Sequence, residues 1–165
     1  MKTLEQLMSN TPSDVVKRST KTNARILSAT ASRKKGVDTV VFVVRVKANT
    51  ETTFYDVTLE LYPTEIHQGV FLKPSAKNPA WVHCSCPFFL FNCEYALVKA
   101  GSSDFLKHNS ATGTVPEYSN EKPSVVTNPK FVPYLCKHLY RAAPEVVTRA
   151  IERSKTDSKY DFVDR

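Results

Sequence analysis

Several features that this sequence lacks narrow the possible functions first. No apolar run in the 165 residues approaches the roughly 20 residues that a transmembrane helix needs, so we do not expect the chain to span a membrane. Only four glycines are present, and there is neither a Walker loop nor a GxGxxG motif, which argues against a phosphate-binding loop of either kind. The opening sequence MKTLEQLMSNTPSD also lacks the apolar stretch of a secretory signal.

Cysteine is equally scarce, with four in the chain. Without a secretory signal we expect the protein to stay in a reducing compartment, where cysteines are more often thiols or metal ligands than disulfides. The length fits one compact domain. Hydrophobic residues make up 41% of the chain and aromatic residues 10%, which is enough to build a core.

Signs of catalysis are weak. A nucleophilic pair could form from Cys93 or Cys136 with a histidine, but no motif marks an oxyanion hole or an orienting third residue. The carboxylates are scattered rather than paired on one predicted face. We therefore predict that the protein is not an enzyme, and we expect no small-molecule substrate.

Positive charge is concentrated near the N-terminus. The whole chain has a net charge of +7, and residues 1–36 carry eight basic and two acidic residues, a net charge of +6. We predict a basic N-terminal arm with short helices over residues 1–36. If all six excess charges met phosphates, the logarithm of the DNA affinity would fall with the logarithm of salt with a slope of about −5. A solvated arm that only keeps the chain soluble is the alternative.

The rest of the chain predicts a single α+β domain over residues 37–153, followed by a polar tail over 154–165. Residues 25–32 alternate weakly, residues 38–48 are rich in β-branched side chains, and residues 53–62 alternate clearly between apolar and polar. These segments predict an antiparallel β-meander with one solvent-exposed face.

Further elements are expected beyond the meander. We predict a strand over 80–86, a helix over 91–100 with an apolar stripe of Phe91, Tyr95 and Val98, and a long loop over 102–130. Two helices are expected at the C-terminal end, one over 136–142 and one opened by Pro144.

Two short motifs suggest a metal site. Cys84 and Cys86 form C-x-C on a predicted strand, where a period of two places both thiols on one face. Cys136 and His138 form C-x-H, and they can converge only if Cys136 lies before or at the first turn of its helix. Three thiolates and one imidazole make a closed tetrahedral set, which is typical of structural zinc.

The two motifs together resemble the SWIM-type zinc finger, in which C-x-C and a variable spacer precede C-x-H. The similarity covers residues 81–141, and the 49-residue spacer between Cys86 and Cys136 is long for the family. The surrounding sequence also resembles small stand-alone SWIM proteins of tailed bacteriophages. The resemblance implies a zinc-organised strand–helix unit, Zn²⁺ as the cofactor, and binding to nucleic acid or to other proteins.

Simpler interpretations of the same residues stay open. Either cysteine pair alone could be ordinary buried thiols. Cys93 is expected to be a packed thiol, and His83 is expected to face away from Cys84. His67 and His108 have no evident partner. Phe88, Phe89, Phe91 and Tyr95 could stack on single-stranded bases, although such a stripe is more often part of the core.

We therefore predict a non-enzymatic SWIM-type zinc protein that binds DNA or RNA. The candidate contacts lie in the basic arm and on the helix after Cys136, where Lys137 and Arg141 flank the first turn. The full predicted set is Lys17, Arg18, Lys21, Arg33, Lys34, Lys35, Lys137 and Arg141.

The alternative function is that of a structural or assembly component of a virion. In that case zinc holds the fold together, and the arm and the long loop dock on neighbouring subunits. The first function predicts a location in the host cytoplasm, and the second predicts a location in the virion.

Overall fold

The computed structural model describes residues 1–34, 37–47, 53–62, 71–72, 74–104, 127–148, 150–153 and 160–163. Within these residues the strands are β1 (Asn23–Lys34), β2 (Val37–Lys47), β3 (Phe54–Leu61), β4 (Phe71–Leu72), β5 (Ala80–Cys84), β6 (Ala150–Arg153) and β7 (Tyr160–Val163). The helices are α1 (Leu4–Ser9), α2 (Ser13–Ser19), α3 (Glu94–Lys99) and α4 (Lys137–Val147), and a π-helical turn spans Phe89–Cys93.

The strands form one antiparallel sheet in the order β4-β6-β7-β1-β2-β3-β5. Strands β1, β2 and β3 make the predicted meander, and β5 joins the free edge of β3. The expected α+β class, with a meander followed by a strand–helix unit, is confirmed.

Strand β2 shows why the sheet has one buried face. Every second residue of it is buried, namely Val40, Phe42, Val44 and Val46, while Arg45 and Lys47 between and beyond them are exposed. Helix α4 packs across the buried face, where its Leu139 and Val146 are fully buried.

The N-terminal residues belong to the same fold. The side chain of Thr3 caps α1 by accepting a hydrogen bond from the Gln6 N–H at 3.2 Å, and the Gln6 side chain accepts one from the Thr3 N–H. Leu4 and Leu7 of this helix are fully buried in the common core, and β1 pairs with both β2 and β7. Residues before position 35 therefore contribute buried side chains and a strand to the same fold as the residues that follow.

The C-terminal region differs from expectation in its second half. Helix α4 continues through Pro144, which lies on its exposed side, so one helix replaces the expected two. The residues after it form β6, which pairs with β4 and β7. Strand β7 lies within the expected polar tail. The apolar spacing after Pro144 favoured a helix, but residues 150–153 pair with β4 and β7 instead. This pairing depends on other segments of the chain, so the local spacing does not reveal it.

The segment after β5 contains helix α3 and the start of a loop. Helix α3 ends at Lys99, and Gly101 two residues later has a φ of 67°, the left-handed conformation that glycine adopts without strain. The loop expected over 102–130 lies mostly outside the described residues. None of the helices in the described ranges has the length and apolar character that crossing a membrane requires.

Candidate metal centre

The C-x-C motif lies where β5 ends. Cys84 is the last residue of the strand, and Cys86 follows after one exposed residue, Ser85. The Ser85 N–H still donates to the Asp56 carbonyl of β3 at 3.1 Å, so the strand alternation persists beyond Cys84. Both thiols consequently face inward, with Cys84 1% and Cys86 2% exposed.

The C-x-H motif lies at the start of α4. Cys136 is the N-cap residue with an extended backbone, φ −69° and ψ 165°, and His138 is the second residue of the helix. The first helical hydrogen bond runs from the Tyr140 N–H to the Cys136 carbonyl at 2.9 Å. Cys136 therefore lies before the first turn, which is the condition under which it converges with His138.

The two motifs come together beneath the sheet. The ligand atoms of Cys84, Cys86, Cys136 and His138 all lie within 4.8 Å of one another, and all four residues are buried. The Sγ atom of Cys84 is 3.9 Å from Nδ1 of His138. Zinc bonds of about 2.3 Å to sulfur and 2.0 Å to nitrogen give tetrahedral edges of roughly 3.6–3.8 Å. The four residues are thus positioned to hold a metal ion.

Burial and the hydrogen bonds among the thiols shift the pKa values of the three cysteines in the cluster. Burial raises the pKa of Cys84 and of Cys136 well above the ordinary value. Hydrogen bonds with Cys136 and Cys84 instead lower the pKa of Cys86 far below that value, and His138 acts in the same direction. The three thiols therefore differ in how their surroundings shift their pKa, although they share one buried cluster.

The donor set fits zinc. Among the described residues, no carboxylate belongs to the cluster, so a bound ion would take three sulfurs and one nitrogen, the closed set typical of structural zinc. The His138 ring lies against Tyr55 with centroids 4.6 Å apart, which holds the imidazole in place. Its Nδ1 atom faces the thiols, 3.9 Å from Sγ of Cys84, whereas its Nε2 atom is buried and has no hydrogen-bond partner among the described residues.

The neighbouring cysteine and histidines take other places. Cys93 is fully buried in the core and lies outside the four-residue cluster, and burial raises the pKa of its thiol. His83 lies on the other face of β5 from Cys84, with its ring 5.3 Å from that of Phe89. His67 and His108 lie outside the described residues.

The expected apolar stripe of the following helix is wrong. Phe91 is 44% exposed, whereas Phe89, Cys93 and Leu97 are fully buried. The Phe89 N–H donates to Sγ of Cys86 at 3.3 Å, so the turn that follows Cys86 points Phe89 inward. Both faces of this helix carry apolar residues, and only its attachment to the cysteine cluster determines which one is buried.

Two of the predicted nucleic-acid contacts come together beside the cluster. A cavity of about 110 Å³, which we call the Arg18–Lys137 cleft, is lined by Arg18, Lys137, Phe88 and Val15. The Arg18 guanidinium lies 5.4 Å from the Phe88 ring centroid and pairs with Asp14 at 2.7 Å.

The other predicted contacts are dispersed. Lys17 and Lys21 are exposed on and after α2, while Arg33 and Lys34 belong to the far end of β1 and Lys35 lies outside the described residues. Arg141 acts within the fold, because it donates to the Thr22 carbonyl at 3.1 Å and pairs with Glu145 at 2.9 Å.

A second group of basic residues was not singled out from the sequence. Arg25, Arg45 and Lys47 lie together on the exposed face of the sheet, beside Phe54. The one available signal was that Arg45 and Lys47 share a parity at the end of their strand. Their meeting with Arg25 and Phe54 depends on the pairing register.

Comparison of the chain with protein-family models, with curated proteins and with solved structures finds no match. The resemblance to SWIM-type zinc fingers consequently depends on the two motifs and on the geometry that brings them together.

Proposed function

We propose that this protein is a non-enzymatic, zinc-stabilised nucleic-acid-binding protein with a SWIM-type zinc unit. The observation that carries the proposal is the placement of the Arg18–Lys137 cleft directly beside the Cys/His cluster. Lys137 lies between the ligands Cys136 and His138 in sequence, and Phe88 follows Cys86 by two residues. A metal that holds the ligands therefore also holds two walls of the cleft.

Zinc in this site has a structural role. The donor set is closed and buried, so a bound ion has no open position for substrate or water. Its contribution is to tie the end of β5 to the start of α4, two segments that are joined by more than fifty residues of chain. Structural zinc sites supply folding free energy because the assembled ligands do not exist in the unfolded chain.

The cleft has the chemistry that a phosphate group requires. Lys137 is the first residue of the 11-residue helix α4, where backbone N–H groups and the helix dipole attract an anion. Arg18 stands opposite, over the Phe88 ring. Its partner Asp14 forms an exposed ion pair, which contributes about 0–1 kcal/mol, so a phosphate can replace this carboxylate at small cost.

Binding assays on the full chain test the proposal. We expect labelled DNA and RNA oligonucleotides to bind with an affinity that falls steeply with salt. In the double variant Arg18→Ala with Lys137→Ala, the slope of log affinity against log salt should become shallower by the equivalent of about two phosphate contacts. Lys77→Ala removes an exposed lysine in a turn that does not line the cleft, and it is the matched control. A double variant that keeps the wild-type slope would contradict the cleft, and an absence of any binding would contradict the function.

The role of a virion assembly component makes a different prediction. The chain would then bind neither DNA nor RNA with this salt dependence, and it would associate with other subunits through the N-terminal residues or the 102–130 loop. Leu4 and Leu7 of the N-terminal helix are fully buried in the protein's own core, so they are not available to dock on another subunit. We therefore favour nucleic acid as the partner.

A further inference from the structure

The solvent-facing side of the sheet carries a second basic surface. It lies where β1 begins, β2 ends and β3 begins, and the strand register sets its residues in two rows. Asn23, Lys47 and Phe54 are directly opposite one another in the first row, and Arg25, Arg45 and Asp56 are opposite one another in the second. We call Asn23, Arg25, Leu27, Arg45, Lys47 and Phe54 the sheet-end surface.

Apolar groups in this surface are open to solvent. Phe54 is 54% exposed and Leu27 is 45% exposed, and both border a concave region of about 330 Å³ together with the three cations. Leu27 lies at the irregularity in the β1–β2 pairing between Ile26 and Ser28, where an extra residue turns outward. An exposed aromatic ring among cations is the arrangement on which unpaired bases stack.

The charges of the surface are only partly balanced. Arg25 and Arg45 are directly opposite across β1 and β2, and like charges in such a pair repel each other. Arg45 pairs with Asp56 at 3.0 Å, but among the residues that the structure describes neither Arg25 nor Lys47 has an ion-pair partner. An anionic partner would relieve the repulsion.

We propose that the sheet-end surface binds single-stranded nucleic acid. Arg25 and Lys47 contact successive phosphates, and one base stacks on Phe54 beside Leu27. The single-stranded form follows from Phe54, because a ring on an open sheet can reach the face of a base only when that base is unpaired. The site shares no residue with the Arg18–Lys137 cleft, and it would remain if that cleft bound nothing.

Fluorescence anisotropy with a labelled oligodeoxythymidylate separates stacking from charge. We expect Phe54→Ala and Phe54→Leu each to weaken binding roughly tenfold, while Phe54→Tyr keeps near wild-type affinity. Arg25→Ala with Lys47→Ala should lower the salt slope by about 1.4, at roughly 0.7 per phosphate of a single strand. Phe91→Ala removes another exposed ring, one outside the sheet-end surface, and should leave the affinity unchanged. All four positions are exposed, so circular dichroism and metal content should match the wild type.

Amide chemical-shift mapping with the same oligonucleotide separates this proposal from the proposed function. Shifts over residues 23–27, 45–47 and 54–56 support the sheet-end surface. Shifts confined to α2, Phe88 and the start of α4 would overturn it and leave the cleft standing, whereas shifts confined to the sheet would do the reverse. Wild-type affinity for the single strand in Phe54→Ala would also overturn it. No binding of any oligonucleotide would contradict both proposals.

Discussion

The Nδ1 atom of His138 lies 3.9 Å from the Sγ atom of Cys84, although 54 residues separate the two in sequence. One residue ends a strand and the other lies in the first turn of a helix, so this contact joins the sheet to α4. Cys86 and Cys136 complete the cluster, and all four residues are buried. This contact leads to a prediction about the ligands, and two further predictions concern residues outside the cluster.

Replacement of a ligand should release the metal and destabilise the fold. We expect Cys84→Ser or Cys136→Ser to lose zinc and several kcal/mol of unfolding free energy, because structural zinc contributes on the order of 10 kcal/mol in small fingers. Native mass spectrometry with and without a chelator gives the metal content, and urea denaturation gives the stability. Cys93→Ala is the control, since Cys93 is buried outside the cluster and its variant should keep one zinc per chain. A metal-free Cys84→Ser protein with wild-type stability would rule out a structural site.

The N-terminal helix should be necessary for stability. Leu7 is fully buried against the sheet, so Leu7→Ala should lower the free energy of unfolding by about 2–5 kcal/mol. Leu27→Ala alters an exposed leucine and should stay within about 0.5 kcal/mol of the wild type. Equal effects of the two substitutions in a urea denaturation series would mean that residues 1–9 are a separable arm after all.

Arg141 and Arg18 should respond in opposite ways. Arg141→Ala removes the bond to the Thr22 carbonyl and should cost about 1–2 kcal/mol of stability with little change in the salt slope of DNA binding. Arg18→Ala breaks only an exposed ion pair, so stability should change by less than about 1 kcal/mol while the slope decreases. Thermal unfolding and anisotropy titrations on the same two proteins measure both quantities. A reduced slope in Arg141→Ala would return that residue to the binding surface.

Local patterns in the sequence were enough to predict much of the framework. Alternation of apolar and polar residues predicted β2 and β3, because one side of each strand is buried and the other faces solvent. This period of two is visible in neighbouring residues of the sequence. The spacing of Cys84 with Cys86, and of Cys136 with His138, likewise limited where the strand had to end and the helix had to begin.

Only the tertiary structure decided the features that depend on residues far apart in the chain. The choice of strand over helix at Ala150–Arg153 came from pairing with β4 and β7, and the burial of Phe89 rather than Phe91 came from the attachment to Cys86. Arg141 donates a hydrogen bond to the Thr22 carbonyl, which lies 119 residues earlier in the chain. The register of β1, β2 and β3 places Arg25 near Lys47 and Phe54. Local periodicity does not predict such a contact, because it depends on how separate strands align.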